Sequence, residues 1–335
     1  MAEAALTVPP SSVRRLAALL PAQRGTVMRT TLLVVVVMMA AALALPPLWY
    51  AVFPEPVPEL PPPGRRAEVA PGVGVNVIEE GQGLPIVLVH GHPACAYDWS
   101  LLMHELAAHR HRVLAYDRVG YGRSDGRTNG KYTVEANADE LLALLAAEDL
   151  HDIVLVGWSY GGGTSIVAAR KDPSRIARLV LVGSVGPGIE NRPAPPRFVM
   201  EFMAGPGLSW ISRVPPLDRR LRAALTAVAF DPDPIADGYL NQLAANFGRP
   251  HTLTTFRSEG RDLGGAADLD PHPIDLPMLI VQGDHDRLVP PSVGEELHRR
   301  ARHSELWVVS GGSHMLPITH AAVLAEKITA FAGEG

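Results

Sequence analysis

One short stretch of the chain joins an apolar, strand-like run to a helix-like segment through a single serine. It covers residues 153–170 and reads IVLVGWSYGGGTSIVAAR. A strand that turns straight into a helix strains its apex residue, here Ser159, which favours positive φ at a cost of about 1–3 kcal/mol. Gly157 and Gly161 remove the Cβ atoms that would collide as the chain turns. The first free N–H groups of the helix point towards the apex, so the stretch predicts a nucleophile beside an anion-binding pocket.

Composition limits the classes of protein that fit. The 335 residues are 47% hydrophobic and 19% charged, which is typical of a chain with a packed core and is enough for one large or two modest α/β domains. The net charge of −5 gives no basic surface for nucleic acid. The one cysteine, Cys95, excludes an intrachain disulfide.

Most of the chain alternates between short apolar runs and amphipathic or alanine-rich segments. Continuous apolar strands separated by helices predict an α/β fold with a mostly parallel central sheet and helices on both faces. The chemistry of such sheets gathers at the carboxyl ends of the strands. The predicted strands are Gly74–Ile78, Ile86–His90, Val113–Asp117, Ile153–Trp158, Leu179–Gly183, Met278–Gln282 and Leu306–Ser310. The predicted helices are Thr133–Ala147, Tyr160–Lys171, Ser292–Arg302 and Ala321–Ala332.

The N-terminal part differs from the rest in composition. Residues 30–53 carry no charge and are almost wholly apolar, and about 20 such residues cross a hydrocarbon core of about 30 Å. They predict an N-terminal transmembrane helix after a cytoplasmic arm, residues 1–29. The arm holds four arginines, so the positive-inside bias predicts a single-pass protein with its N-terminus cytoplasmic and its catalytic domain exported. Secretion after signal-peptide cleavage is the alternative, because Pro46-Pro47 shortens the strongest apolar run.

Three further boundaries follow from composition. Residues 54–66 are dense in proline and predict an extended linker. The globular domain then covers residues 67–335. Within it, the stretch of about 186–270 breaks the strand–helix alternation and predicts a helical cap insertion over the site.

A serine nucleophile needs a histidine base that is itself oriented by a carboxylate. Two loops supply these residue types. VQGDHDRLVP follows a predicted strand and contains Asp284 and Asp286, and GGSHMLP follows another and contains His314. Both loops lie at the carboxyl ends of their strands, as Ser159 does.

These stretches, with LVHGHP and AYDRVGYGRSD, resemble the α/β-hydrolase superfamily in order and spacing, and the resemblance covers nearly everything after about residue 70. The more similar groups are serine esterases, haloperoxidase-like enzymes and carbon–carbon hydrolases. The resemblance implies a catalytic triad of Ser159 as nucleophile, His314 as base and Asp286 as the acid that orients it. Asp284 is the alternative acid, and His285 is expected to face solvent.

The resemblance also implies an oxyanion hole made of two backbone N–H groups, those of His92 and Tyr160. Their side chains, with those of Trp158 and His90, are candidates for shaping the pocket, although His90 is more typical of a residue that supports its loop. His90-x-His92 and residues 284–286 superficially suggest metal-ligand pairs, but no metal site is expected, since both stretches are explained as loops of the family. No cofactor is expected.

The leading functional hypothesis is a carboxylic ester hydrolase that acts on a small, apolar substrate through an acyl-serine intermediate. Carbon–carbon bond hydrolysis, aminopeptidase-like activity and cofactor-free perhydrolysis use the same triad and stay open. Epoxide hydrolases and haloalkane dehalogenases resemble the chain but place an aspartate where Ser159 stands. A non-catalytic binding protein on the same fold is the remaining alternative.

Overall fold

The computed structural model describes residues 33–34, 59–189, 226–231, 237–262 and 268–333. The chain divides into two units, Met1–Pro56 and Val57–Gly335. In the first unit only Leu33 and Val34 are described, and both are helical and exposed. The predicted arm and the rest of the predicted span, residues 30–53, lie outside the described residues. None of the helices in the described ranges is both long and apolar enough to cross a membrane.

The second unit is built around an eight-stranded sheet. Its strand order is β1-β2-β4-β3-β5-β6-β7-β8. The first two pairings, β1 with β2 and β2 with β4, are antiparallel, and all the others are parallel. The predicted mostly parallel sheet is therefore confirmed. The strands are β1 Arg65–Ala70, β2 Val73–Gly81, β3 Leu84–Val89, β4 His111–Tyr116, β5 Ile153–Trp158, β6 Ile176–Val182, β7 Met278–Gly283 and β8 Ser304–Val309.

Helices cover both faces of this sheet. The helices of the described ranges are α1 Ser100–Ala108, α2 Val134–Ala147, α3 Tyr160–Lys171, α4 Asp237–Phe247, α5 Thr252–Asp262, α6 Pro291–Arg300, α7 Leu316–Thr319 and α8 Ala321–Gly333, with short turns of helix at Ala96–Trp99 and Thr226–Phe230. Successive strand residues point to opposite faces. In β3, Val87 and Val89 pack in one core with α2, α3 and α6, whereas Ile86 and Leu88 pack in a second core with α1 and α8. The predicted coverage of both faces is confirmed.

Each predicted strand and helix is present, and three elements outside the predicted cap were missed. Helices α1 and α7 were not predicted, and β1 begins at Arg65, inside the proline-rich stretch 54–66. Only Ala67 and Val69 of β1 are buried. The alternation of apolar and polar residues is therefore too short to predict a strand next to the proline-rich stretch. Among residues 186–270 the structure describes α4, α5 and the turn at Thr226–Phe230. The limits of a cap and its position over the site stay a prediction.

Candidate active site

Ser159 sits where β5 turns into α3. It has φ 56° and ψ −121°, a left-handed value that an L side chain rarely adopts, and it is the residue that precedes the first turn of the helix. The turn is this tight because glycine flanks it. A Cβ on Gly157 would lie 2.6 Å from the carbonyl oxygen of Gly161, and one on Gly161 would collide with the carbonyl oxygen of Val89. The strained turn expected from the sequence is present.

The backbone of Ser159 is held by the last residue of β6 and by the loop that follows it. The Ser159 N–H donates to the carbonyl oxygen of Val182 at 3.0 Å, and the Ser159 carbonyl accepts from Val185 N–H at 3.1 Å. Its side chain is not open to bulk solvent, because the residue is 8% exposed. These two hydrogen bonds oppose relaxation of the strained conformation.

His314 and Asp286 form a buried pair. Nδ1 of His314 lies 2.7 Å from Oδ2 of Asp286, and the two side chains are 5% and 0% exposed. The other carboxylate oxygen, Oδ1, accepts the backbone N–H groups of Leu288 at 2.9 Å and Val289 at 2.8 Å. Gln282 Nε2 also donates to Oδ2, at 3.3 Å. The carboxylate is thus fixed from three sides and can set the tautomer and the orientation of the imidazole.

The other predicted acid, Asp284, is placed differently. It is 36% exposed at the side chain and accepts the N–H of Gly311 at 2.7 Å. It also contacts His285, whose Nδ1 lies 2.7 Å from Oδ1 of Asp284 and whose side chain is 53% exposed. This geometry favours Asp286 over Asp284 as the partner of His314.

The loop after β6 also brings the serine and the histidine pair together. Val182 bonds to Ser159, and a Cβ on the next residue, Gly183, would lie 3.1 Å from Oδ2 of Asp286 and 3.3 Å from Nδ1 of His314. On the other side, the Trp158 indole donates to the carbonyl oxygen of His314 at 3.0 Å. The three predicted triad residues therefore gather around one loop at the carboxyl edge of the sheet.

The two predicted oxyanion residues flank the serine. A Cβ on Gly91 would lie 2.9 Å from Cβ of Ser159, so the loop after β3 passes directly beside it, and His92 comes next in that loop. Tyr160 is the first residue of α3, where a backbone N–H has no partner within its own helix. The rings of His92 and Tyr160 lie 5.9 Å apart.

A buried ion pair that sequence reasoning missed lies behind this loop. Both guanidinium Nη atoms of Arg118 donate to the Glu259 carboxylate, and the side chains are 1% and 0% exposed. Nδ1 of His92 lies 2.9 Å from the same carboxylate. Burial by itself raises the pKa of Glu259, but Arg118 and the His92 hydrogen bond outweigh it and lower the pKa to about 2.

Two of the pocket candidates, His90 and Trp158, are buried. His90 is 0% exposed, with Nε2 accepting the Arg118 N–H at 2.9 Å and Nδ1 2.9 Å from the Gly91 carbonyl oxygen. Burial first, and then the Arg118 charge, lower its pKa well below the ordinary value, so the ring is neutral. Trp158 is 3% exposed and its ring lies 5.7 Å from that of His314. His90 supports its loop, and a pocket role for either side chain stays a prediction.

The described residues contain no group of three or more histidine, cysteine, aspartate or glutamate side chains placed to hold a metal ion. What the geometry does offer is a strained serine, a carboxylate–imidazole pair from the loops after β7 and β8, and backbone N–H groups beside the serine. Such an arrangement suits nucleophilic acyl transfer.

Fold and site together define an α/β hydrolase. A family profile for the alpha/beta hydrolase fold matches residues 85–321, and the chain belongs to this family.

The chain is similar to several characterised proteins across most of its length. It is 28% identical over 295 residues to a 2-hydroxymuconate semialdehyde hydrolase of Pseudomonas sp. (strain CF600), covering 83% of this chain and 96% of the relative. Among solved structures, an esterase from Exiguobacterium antarcticum superposes with a TM-score of 0.67 at 21% identity, covering 80% of this chain and 99% of that one. A mutant form of the meta-cleavage product hydrolase (CumD) from Pseudomonas fluorescens IP01 superposes with a TM-score of 0.66 at 25% identity, covering 81% and 98%.

Proposed function

We propose that this protein is a serine hydrolase that cleaves an ester-like bond of a small, apolar substrate through an acyl-serine intermediate. The observation that carries the proposal is the buried His314–Asp286 pair, 2.7 Å apart, at the same edge of the sheet as the strained Ser159. Membership of the α/β-hydrolase family supports a hydrolytic reaction. That the bond cleaved is an ester bond is the part that we propose.

The reaction would begin with the hydrogen bond to Asp286. With the proton on Nδ1 of His314 directed at that carboxylate, Nε2 is left as the proton acceptor. His314 takes the Ser159 hydroxyl proton as the oxygen attacks the substrate carbonyl carbon. The carbonyl oxygen becomes an oxyanion, which the backbone N–H groups of His92 and Tyr160 stabilise. His314 then protonates the departing alcohol, and water releases the acid from Ser159 by the same steps.

The described part of residues 186–270 supports an apolar substrate. Phe256 stacks on the His92 ring with centroids 4.5 Å apart, and Phe247 meets Phe256 edge to face at 5.5 Å. Aromatic side chains beside a few placed polar groups are typical of a pocket for a small organic molecule.

Carbon–carbon bond hydrolysis is the second candidate. It needs the same nucleophile and base, and the similarity to a 2-hydroxymuconate semialdehyde hydrolase and to a meta-cleavage product hydrolase favours it as strongly as the esterase likeness favours ester cleavage. The two reactions differ in the bond that breaks: a C–O bond with an alcohol leaving group, or a C–C bond whose electrons need a carbonyl to accept them.

A substrate panel separates these candidates. The purified domain would be assayed with esters of increasing acyl length, matched amides and 1,5-diketones, each against a Ser159→Ala variant. Ester turnover that depends on Ser159 supports the proposal, and turnover of the diketones alone replaces it with the second candidate. A fluorophosphonate should label wild type and not Ser159→Ala. Equal labelling of the two, or none of wild type, would favour a non-catalytic binding protein.

We also propose that residues 30–53 anchor the protein in a membrane with the hydrolase domain exported. Their length, the lack of charge and the arginines before them support this. A reporter fused after residue 335 tests it: a signal from the exported side supports the orientation, and a cytoplasmic signal contradicts it. Loss of the N-terminal residues from the mature chain would indicate a cleaved signal peptide instead.

A further inference from the structure

Arg118 holds the loop that leads into the predicted oxyanion hole. Its Nε donates to the carbonyl oxygen of His90 at 3.0 Å, and one Nη donates to the carbonyl oxygen of Gly91 at 2.9 Å. These are the two residues directly before His92. Two hydrogen bonds from one planar, buried guanidinium fix the orientation of the backbone at His90 and Gly91. They therefore also fix the direction of the next N–H group, that of His92.

Glu259, on α5, contacts both Arg118 and His92, the residue of the loop that follows Gly91. Its carboxylate accepts from both Nη atoms of Arg118, lies 2.9 Å from Nδ1 of His92 and accepts the Tyr121 hydroxyl at 2.8 Å. Asn137 Nδ2 donates to it as well, at 3.1 Å. All these contacts meet at a residue that is 0% exposed.

The same helix also contacts the other predicted oxyanion residue. The hydroxyl of Tyr160 lies 3.4 Å from Oδ2 of Asp262, three residues after Glu259, and the Arg118 guanidinium lies 4.8 Å from the centre of the Tyr160 ring. Helix α5 therefore contacts the side chains of both residues whose N–H groups would hold the oxyanion.

Stability alone does not account for a buried charge pair. Removing two ions from water costs several kcal/mol each, and well-packed apolar side chains of the same volume are often as stable or more so. What apolar side chains cannot do is donate to the carbonyl oxygens of His90 and Gly91 or accept from His92.

We infer that Glu259 is a positioning residue for the oxyanion hole, acting through Arg118 and His92. The inference rests on the proposed function. A donor must meet the place where the oxyanion forms, not the place of the ground-state carbonyl, so the network acts mainly on the transition state.

The first test is Glu259→Gln, which keeps the volume and removes the charge. Displacing catalytic groups by about 1 Å can cost about 100-fold in rate. We expect kcat for a good ester substrate to fall about 10- to 100-fold, with KM changed by less than about threefold. The rate of fluorophosphonate labelling should fall by a similar factor, because that reaction also builds negative charge on an oxygen in the hole. A variant with wild-type kcat overturns the inference.

A second variant separates positioning from folding, because Glu259→Gln leaves the Arg118 charge buried and unpaired. The double variant Arg118→Met with Glu259→Met removes both charges at similar volume and should regain stability in urea unfolding. We expect it to be at least as slow as the single variant, because it lacks both the Arg118 hydrogen bonds to His90 and Gly91 and the Glu259 contact with His92. Recovery of wild-type kcat in the double variant would show a purely structural role.

Glu140→Gln is the matched control. Glu140 is another poorly exposed carboxylate, 2.7 Å from the guanidinium of Arg127, and it is not among the hydrogen-bond partners of residues 90–92 found in the described part of the chain. Its kcat should equal that of wild type. If wild type is active and the Glu259 variants have the same kcat, this inference is refuted and the proposed function is not. A wild type that neither labels nor hydrolyses any panel substrate refutes the proposed function, and the inference with it.

Discussion

The indole Nε1 of Trp158 donates a hydrogen bond of 3.0 Å to the carbonyl oxygen of His314, and the two rings lie 5.7 Å apart at 36°. Trp158 directly precedes Ser159, so this contact joins the residue before the proposed nucleophile to the proposed base. It uses neither ring nitrogen of His314, so Nδ1 keeps its contact with Asp286 and Nε2 stays available for the proton transfer described above.

We expect Trp158→Phe to lower kcat several-fold and to cost stability. The change leaves the buried carbonyl oxygen of His314 without its indole donor, a loss worth about 1–3 kcal/mol in the free energy of unfolding. It also frees the loop that carries the imidazole. Ester hydrolysis and urea unfolding of the same preparation measure the two effects.

Trp99→Phe is a control with the same change of side chain. Trp99 is fully buried, its ring meets that of Trp158 at 5.9 Å, and its Nε1 has no hydrogen-bond partner among the described residues. Losing this indole removes buried volume but no hydrogen bond, so kcat should not change and the loss of stability should be the smaller of the two. An equal fall in kcat in both variants would assign the effect to packing.

We expect Asp286→Asn to lower kcat about 10³- to 10⁴-fold, in line with the amide replacement in the serine protease triad. The asparagine oxygen can still accept the N–H groups of Leu288 and Val289 at Oδ1, so the loop should keep its shape. Its NH₂ group then faces Nδ1 of His314, which favours the wrong tautomer. Steady-state kinetics and circular dichroism of the folded variant check both statements.

Asp284→Asn tests the alternative acid. Asp284 is partly exposed and contacts His285 and the Gly311 N–H. An asparagine oxygen can accept from that N–H, so activity should stay within about threefold of wild type. A loss as large as that in Asp286→Asn would contradict the assignment of the acid from the 2.7 Å contact.

Sequence analysis predicted the site residues that lie at strand ends. It did not predict the residues whose partners are far away along the chain. Ser159, Asp286 and His314 each follow an apolar run, and a parallel sheet places such positions at one edge. The geometry brings them together around one loop, although their chemical roles stay a proposal. Glu259 gave no signal, because its surroundings, FRSEGRD, read as a solvated charged segment.

Arg118 could have been found. It lies in AYDRVGYGRSD, directly after β4 and so at the same edge as the triad, where a charged residue indicates function or an ion pair. Its acid is 141 positions away in the chain. No spacing rule pairs residues at such a separation, and only the fold reveals the contact.

Gly183 occupies a position where a side chain would affect the His–Asp pair. Its φ is 46°, and an added Cβ would lie 3.1 Å from Oδ2 of Asp286 and 3.3 Å from Nδ1 of His314. We expect Gly183→Ala to destabilise the fold by about 1–2 kcal/mol through backbone strain and also to lower kcat by pushing on the pair. Thermal unfolding and kcat measure these effects separately.

Gly72→Ala isolates the strain. Gly72 has φ 73°, and a Cβ there would meet nothing within 4 Å. The variant should lose a similar amount of stability and keep wild-type kcat. If Gly183→Ala also kept wild-type kcat, the close approach at residue 183 would have no bearing on activity.

Asp98 is a buried carboxyl group away from the triad. It accepts the Cys95 N–H at 2.7 Å, and Gln242 of α4 also donates to it. Burial raises its pKa from 3.8 to about 7, although both hydrogen bonds oppose the change. In the unfolded chain the group ionises near its ordinary value, so unfolding releases a proton between about pH 4 and pH 7.

The free energy of unfolding should therefore fall as pH rises through this window. A carboxyl group whose pKa is raised by folding makes its full contribution to stability below its pKa in the unfolded chain, 3.8. That contribution is lost as the pH rises to its pKa in the folded protein, about 7. At about 1.4 kcal/mol per pKa unit, ionising Asp98 lowers the free energy of unfolding at pH 8 by up to about 4 kcal/mol.

Asp98→Asn should remove this loss, raising stability at pH 8 and leaving it nearly unchanged at pH 4. Urea unfolding of wild type and Asp98→Asn at the two pH values measures this. Equal slopes in wild type and Asp98→Asn would mean that the carboxyl ionises normally in the folded protein.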